Sequence, residues 1–216
     1  MILRLILFLL FLSPLSGVEL KKENDNLLTN NWSIRLYSGY ATHRPLIAII
    51  TYGDIRPEYH DTGIRGLDIS HILVRNWKGY SVDWSFRLGY IHHLENGFQP
   101  NHNQYNIFFM VHYYTSFKGF PIRLFVGEGL SRAERVPYVE GRETRRLSDE
   151  RDSKLMNYIN VGFDLKLGDL LGLQQWNHIT IGLADSHRSG IYQKVKWFNH
   201  TQGGSNFITL FLEYSL

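Results

Sequence analysis

The chain has 216 residues, a formal net charge of +3 and no cysteine. That length suits one domain, and the total charge is too small to argue for a nucleic-acid partner. The missing cysteine excludes disulfides, cysteine-ligated zinc, thiol catalysis and a lipidated N-terminal cysteine. Aromatic residues make up 14% and glycine occurs 19 times, a mix that favours strands and tight turns over helices.

In chain order, MILRLILFLLFLSPLSG comes first. Arg4, the apolar run Leu5–Leu12 and the small residues Ser13, Ser16 and Gly17 make a secretory signal pattern. Residues 1–17 are therefore expected to be a signal peptide and 18–216 the mature domain, the alternative being an uncleaved N-terminal anchor. Eight segments then alternate with period two, at about 31–41, 65–76, 81–92, 105–116, 121–129, 155–166, 176–189 and 206–216. In the third, Val82, Trp84, Phe86, Leu88 and Tyr90 alternate with Ser81, Asp83, Ser85, Arg87 and Gly89. This is the strand period. No later stretch reaches the roughly 18 apolar residues of a membrane helix.

The polar faces carry charges of both signs: Arg35, Asp68, Asp83, Arg87, Arg123 and Asp164. Such a set fits an ion-paired interior inside a barrel whose outside meets lipid. The connections alternate in length, from the long 42–64 to the short NWKGY, then ENGFQPNHN, FKGF, the charged 131–154, GDLLGLQQ and the long 190–205. Short turns on one side and long loops on the other are the outer-membrane pattern. The expected fold is all-β: an eight-stranded antiparallel transmembrane β-barrel in the bacterial outer membrane, with both termini periplasmic. A soluble secreted barrel for a small apolar ligand is the rival architecture.

Candidate chemistry lies near the C-terminus. By parity, Ile179, Ile181, Leu183, Asp185, His187 and Ser189 share the lipid-facing side of the seventh strand. Asn206 opens the lipid-facing side of the eighth, beside the outer end of the seventh. Residues i and i+2 share a face about 7 Å apart at Cα, so imidazole and hydroxyl leaning together come within reach. His187, Ser189 and Asn206 supply a base, a nucleophile and a group to orient the base. Polar groups on a lipid-facing wall are costly unless they have a use, although in the interfacial belt polarity is cheap.

His187–Arg188–Ser189 at the end of the penultimate strand, and Gly204–Ser205–Asn206 followed by FITLFLEY, resemble the lipid A 3-O-deacylase (PagL) family. Those proteins are eight-stranded outer-membrane barrels that cleave an ester-linked acyl chain from lipid A. The resemblance covers about the last 30 residues. It implies a serine-type ester hydrolase with His187, Ser189 and Asn206 as its site, lipid A of lipopolysaccharide as substrate, outer-membrane lipids around it, and no cofactor or metal. The family usually has Glu where Asn206 stands and Asn where Gly190 stands. Asn holds a histidine tautomer but adds no charge, and Asp185, two residues before His187, is a candidate for supplying it. Backbone N–H groups near Gly190, Gly203 or Gly204 are candidate oxyanion donors. Arg188, Lys194 and Lys196 are candidates for the lipid's phosphates, and Trp197 and Phe198 for interfacial anchors.

The alternative is a non-enzymatic structural or adhesive barrel acting through its loops, above all the arginine-rich 131–154, which reads more simply as a solvated charge run. The other histidines, including the pair His92–His93, give no metal constellation, and His71, His102, His112 and His178 are read as interfacial or loop residues. Acyl position and homodimerisation stay open.

Overall fold

The computed structural model describes residues 31–147 and 149–216; the expected signal peptide, residues 1–17, lies outside them. The alternating segments become eight strands: β1 (Trp32–Thr42), β2 (Gly63–Val74), β3 (Val82–Leu94), β4 (His102–Phe117), β5 (Phe120–Ala133), β6 (Leu155–Lys166), β7 (Ile179–Ser189) and β8 (Gly204–Ser215). Each pairs antiparallel with the next, and β8 returns to β1, closing the barrel. Closure leaves no strand edge unpaired, which is what lets a sheet cross a bilayer. Three short helices sit in the connections: α1 (Leu46–Tyr52), α2 (Tyr138–Leu147) and α3 (Leu167–Leu171).

The two faces separate as the alternation requires. Inside, Glu213 accepts Arg35 at 2.7 Å and Arg87 at 2.8 Å. Arg123 pairs with Asp164 at 2.7 Å. The Arg35 guanidinium lies 3.9 Å above the Phe211 ring, and an apolar cluster that includes Tyr37, Phe108, Met110, Phe125, Tyr158 and Phe211 fills the space between the charges. Outside, Leu36, Leu88, Phe109, Phe163, Leu183, Leu210 and Leu212 are exposed. Exposed aromatics stand towards both ends of this wall: Trp32, Phe117, Phe120 and Tyr214 at one, Tyr90 and Tyr105 at the other. Charges within and an apolar belt without, banded by aromatics, is the reverse of a soluble barrel. The protein is a transmembrane barrel of the outer-membrane type. Among the described residues no helix is long and apolar enough to cross a membrane.

Several boundaries move. β4 begins at His102 rather than 105, β5 runs to Ala133, and β8 begins at Gly204. Here the ladder continues beyond the apolar alternation: His102, Asn103 and Gln104 still pair with His93, His92 and Ile91. β7 starts at Ile179 because Gln174–Trp176 form a 3-10 turn. The charged stretch 131–154 is not merely a solvated loop. It completes β5 and then forms α2, whose Glu140, Gly141 and Thr144 are buried.

Candidate active site

β7 buries Thr180, Gly182, Ala184, Ser186 and Arg188 towards the lumen, which leaves His187 and Ser189 on the outer wall. On β8 the lumen-facing set is Ser205, Phe207, Thr209, Phe211 and Glu213, so Asn206 also looks outward, directly opposite His187 in the ladder. The parity argument for facing therefore holds, and the register places His187 and Asn206 side by side at the long-loop end of the barrel.

His187 Nδ1 lies 2.7 Å from Asn206 Oδ1 and 3.1 Å from the Ser205 carbonyl. Both partners are acceptors. Asn206 Nδ2 donates to the Arg44 carbonyl at 2.9 Å, which fixes the orientation of the amide. Nδ1 must therefore carry the proton of a neutral ring, leaving the Nε2 lone pair as the base. Arg44 belongs to the connection 43–62, which lies against this part of the rim. Tyr40 and Thr42 donate from the outer face of β1 to the carbonyls of Ile55 and Arg56, each at 2.7 Å. The same connection carries α1, with Ile47, Ile50 and Tyr52 exposed.

Ser189 occupies the position two residues beyond His187. No hydrogen bond joins the two side chains; Ser189 Oγ instead accepts the Ile191 N–H at 3.2 Å. Ile191, Tyr192 and Gln193 all have positive φ, at 53°, 52° and 63°. A β-branched residue seldom adopts that conformation, and this turn is what brings the Ile191 amide back to the serine. Gly204 allows the close approach of β8: a Cβ there would sit 1.7 Å from the Arg188 carbonyl oxygen.

Other expectations are revised. Gly190 N–H donates to the Gly203 carbonyl at 3.1 Å, so it is already used and is not a ready oxyanion donor; Ile191 N–H is the amide at the serine oxygen. Arg188 does not reach towards lipid phosphates. It points into the lumen, 1% exposed, with Nε 3.3 Å from Glu140 Oε2. Ser205 Oγ donates to the same carboxylate oxygen at 2.8 Å. Burial pushes the Glu140 carboxyl up, opposed by the Arg188 charge and the Ser205 hydrogen bond. α2 is thereby tied to the lumen side of the strands whose outer side carries the site. Asp185 faces outward yet is buried, and no side chain meets its carboxylate, which only the Phe207 backbone N–H approaches; no hydrogen bond joins it to His187. Phe198 is buried, while Trp197, Lys194 and Lys196 are exposed.

The other histidines divide. His71 and His178 pack on Trp32 and Tyr214, at 4.6 and 5.0 Å between ring centroids, as interfacial residues would. His112 is buried in the lumen, 2.9 Å from Ser85 Oγ through Nε2. His102, like His112, is therefore neither loop nor interfacial, and it meets His93. His93 and His102 form a cross-strand pair inside the mouth, with Glu95 beside them. The sequence signal was an H-x-E at 93–95 facing His102 across a short turn. It is visible only if β4 is started three residues earlier.

No family model matches the chain, and no curated protein matches it. Among solved structures, the outer membrane enzyme PagL superposes with a TM-score of 0.53 at 11% identity, over 85% of this chain and 99% of that one. The N-terminal β-barrel domain of Pseudomonas aeruginosa OprF gives a TM-score of 0.44 at 12% identity, over 86% and 97%. The first likeness is one of fold, a PagL-like eight-stranded barrel.

Proposed function

We propose that this barrel is a serine esterase that removes an ester-linked acyl chain from lipid A, and that it reaches the outer membrane after loss of a signal peptide spanning residues 1–17. The observation that carries this reading is the contact between His187 Nδ1 and Asn206 Oδ1 on the lipid-facing wall, at 2.7 Å, with Ser189 next along the same face. It leaves a neutral imidazole with Nε2 as its basic nitrogen and a hydroxyl two residues along the same outer face, at the long-loop end of the barrel. The fold likeness to an outer membrane enzyme supports it.

In the proposed reaction, substrate draws Ser189 Oγ onto His187. Catalytic hydrogen bonds are often long before substrate binds. His187 Nε2 takes the hydroxyl proton as Oγ attacks the ester carbonyl. The Ile191 N–H, already at Oγ, turns to the developing oxyanion, a contribution worth about 3 kcal/mol where one such donor has been removed elsewhere. His187 then hands its proton to the departing alkoxide of the deacylated lipid, leaving an acyl-serine. Water, deprotonated by the same nitrogen, releases the fatty acid and restores Ser189. Asn206 and the Ser205 carbonyl hold the ring throughout. Unlike a carboxylate, neither offsets the imidazolium charge, so a slower enzyme than one with an acid at this position is expected.

A fluorophosphonate probe tests the nucleophile directly. The folded barrel in detergent should label at Ser189, and His187→Gln should not label. Absence of labelling in the wild type, together with inactivity on lipopolysaccharide, would favour a non-enzymatic barrel. The missing His187–Ser189 hydrogen bond is the observation on that side.

A further inference from the structure

Inside the barrel mouth, on the opposite side of the wall from the proposed esterase site, His93, Glu95 and His102 converge. His93 and His102 are directly paired across β3 and β4, their rings stacked at 4.6 Å and 2°. Glu95 occupies the next inward position beyond β3, with Oε1 3.4 Å from His102 Nδ1. One ligand atom from each of the three lies within 4.8 Å of the others. All three side chains are more than nine-tenths buried.

Two features are hard to explain as packing. Neither nitrogen of His102 makes a well-formed hydrogen bond, although the ring is 3% exposed; the Pro100 carbonyl and Glu95 Oε1, 3.4 Å from Nδ1, act on it only weakly. Buried polar atoms without partners cost on the order of 1–3 kcal/mol each, and such atoms in a native fold call for an ion, a water or a function. Moreover, among the described residues no lysine or arginine pairs with Glu95. Arg188 bears on both rings, but it is engaged by Glu140. A buried carboxylate and two imidazoles, one held from outside through Gln104 at 2.9 Å from His93 Nε2, are a borderline-soft donor set with an outer-shell orienting group.

We propose that His93, Glu95 and His102 bind one transition-metal dication of the zinc class. Tetrahedral Zn2+ with ligand bonds of about 2.0–2.1 Å requires donors that lie within 4.8 Å of one another to close in by up to about 1.5 Å, through rotation of the His102 ring and adjustment of Glu95, and leaves the fourth position to water. The ion satisfies His102 and gives Glu95 its counter-charge. It also works as a clip. Glu95 accepts the Tyr138 N–H at the start of α2, at 3.2 Å, and the Gln99 amide at 3.0 Å, so the metal joins β3, β4 and the turn between them to the helix that holds Arg188 and Ser205. The proposal stands independently of the esterase reading.

The test is calorimetric titration of the folded full-length barrel in detergent with ZnCl2 at neutral pH, after chelator treatment. One Zn2+ per chain should bind and raise the unfolding temperature with the logarithm of free metal concentration above Kd. His102→Ala should weaken binding by at least about tenfold, and His71→Ala, at the far end of the barrel, should leave it unchanged. Glu95→Gln, which keeps the side-chain shape, should weaken it likewise; folding of each variant is checked by heat-modifiable migration. No stoichiometric binding by the wild type overturns the proposal. So does binding that survives both His102→Ala and Glu95→Gln, or that is lost in His71→Ala.

Discussion

The two faces of β7 both carry polar side chains, and the structure treats them differently. Towards the lumen, Arg188 is met by Glu140, as Arg35 and Arg87 are met by Glu213 and Arg123 by Asp164. Those groups are paired charges sealed among aromatics, and their chemistry is used up in holding the barrel together. Towards the lipid, His187 is bonded at one nitrogen only, Ser189 keeps its hydroxyl proton uncommitted to His187, and Asp185 has no side-chain partner. Polarity met by an opposite charge reads as architecture, even where single atoms such as Arg87 Nη1 keep no hydrogen bond. Polarity left half-satisfied on a wall that should be apolar reads as a site.

Substitutions on each face should break or sharpen that contrast. The largest effect is expected from Ser189→Ala or His187→Gln. Each should lower hydrolysis of lipid A esters by at least about a thousandfold, the order seen when a member of a catalytic triad is lost, while the barrel keeps its unfolding midpoint. Next comes Asn206→Ala. The Ser205 carbonyl still holds Nδ1–H, so a loss of roughly 10–100-fold in kcat is expected, the scale of an outer-shell orienting partner, with KM little changed. On the lumen face Glu213→Ala should do the opposite. It strands Arg35 and Arg87 without their shared carboxylate and should destabilise the barrel by about 3–5 kcal/mol in urea unfolding, yet the activity per folded molecule should persist. The smallest effect is expected from Asp185→Asn, within about 0.5 kcal/mol, or roughly twofold, in kcat/KM. A large loss there would make Asp185, rather than Asn206, the partner of His187.

Much of the barrel was legible because its period of two runs through every strand and a residue's parity decides its face. Placement of Arg35, Asp68, Arg87, Asp164 and the outward trio followed from that alone. The outer ends were harder. There both faces turn polar at His102–Gln104 and Gly204–Ser205, the alternation fades, and only ladder hydrogen bonds mark the strand. That is why His102 read as an interfacial or loop residue and its meeting with His93 and Glu95 went unseen. α2 was hidden for a related reason: its buried side is made by Glu140, Gly141 and Thr144, so the helix has no apolar stripe to announce it. The left-handed turn at 191–193 has no signal either, since Ile191, Tyr192 and Gln193 are not residues that favour positive φ. Of the site, identity and facing were readable; the tautomer, the Arg44 carbonyl behind Asn206, the Ile191 amide and the idle Asp185 needed coordinates.

The most direct test of the central claim is mass spectrometry of lipid A from cells that produce this barrel and from cells that produce the equally abundant Ser189→Ala form. Lipid A lighter by one acyl chain in the first and intact in the second is the predicted result. Identical spectra from the two, with both barrels folded in the outer membrane, would contradict it.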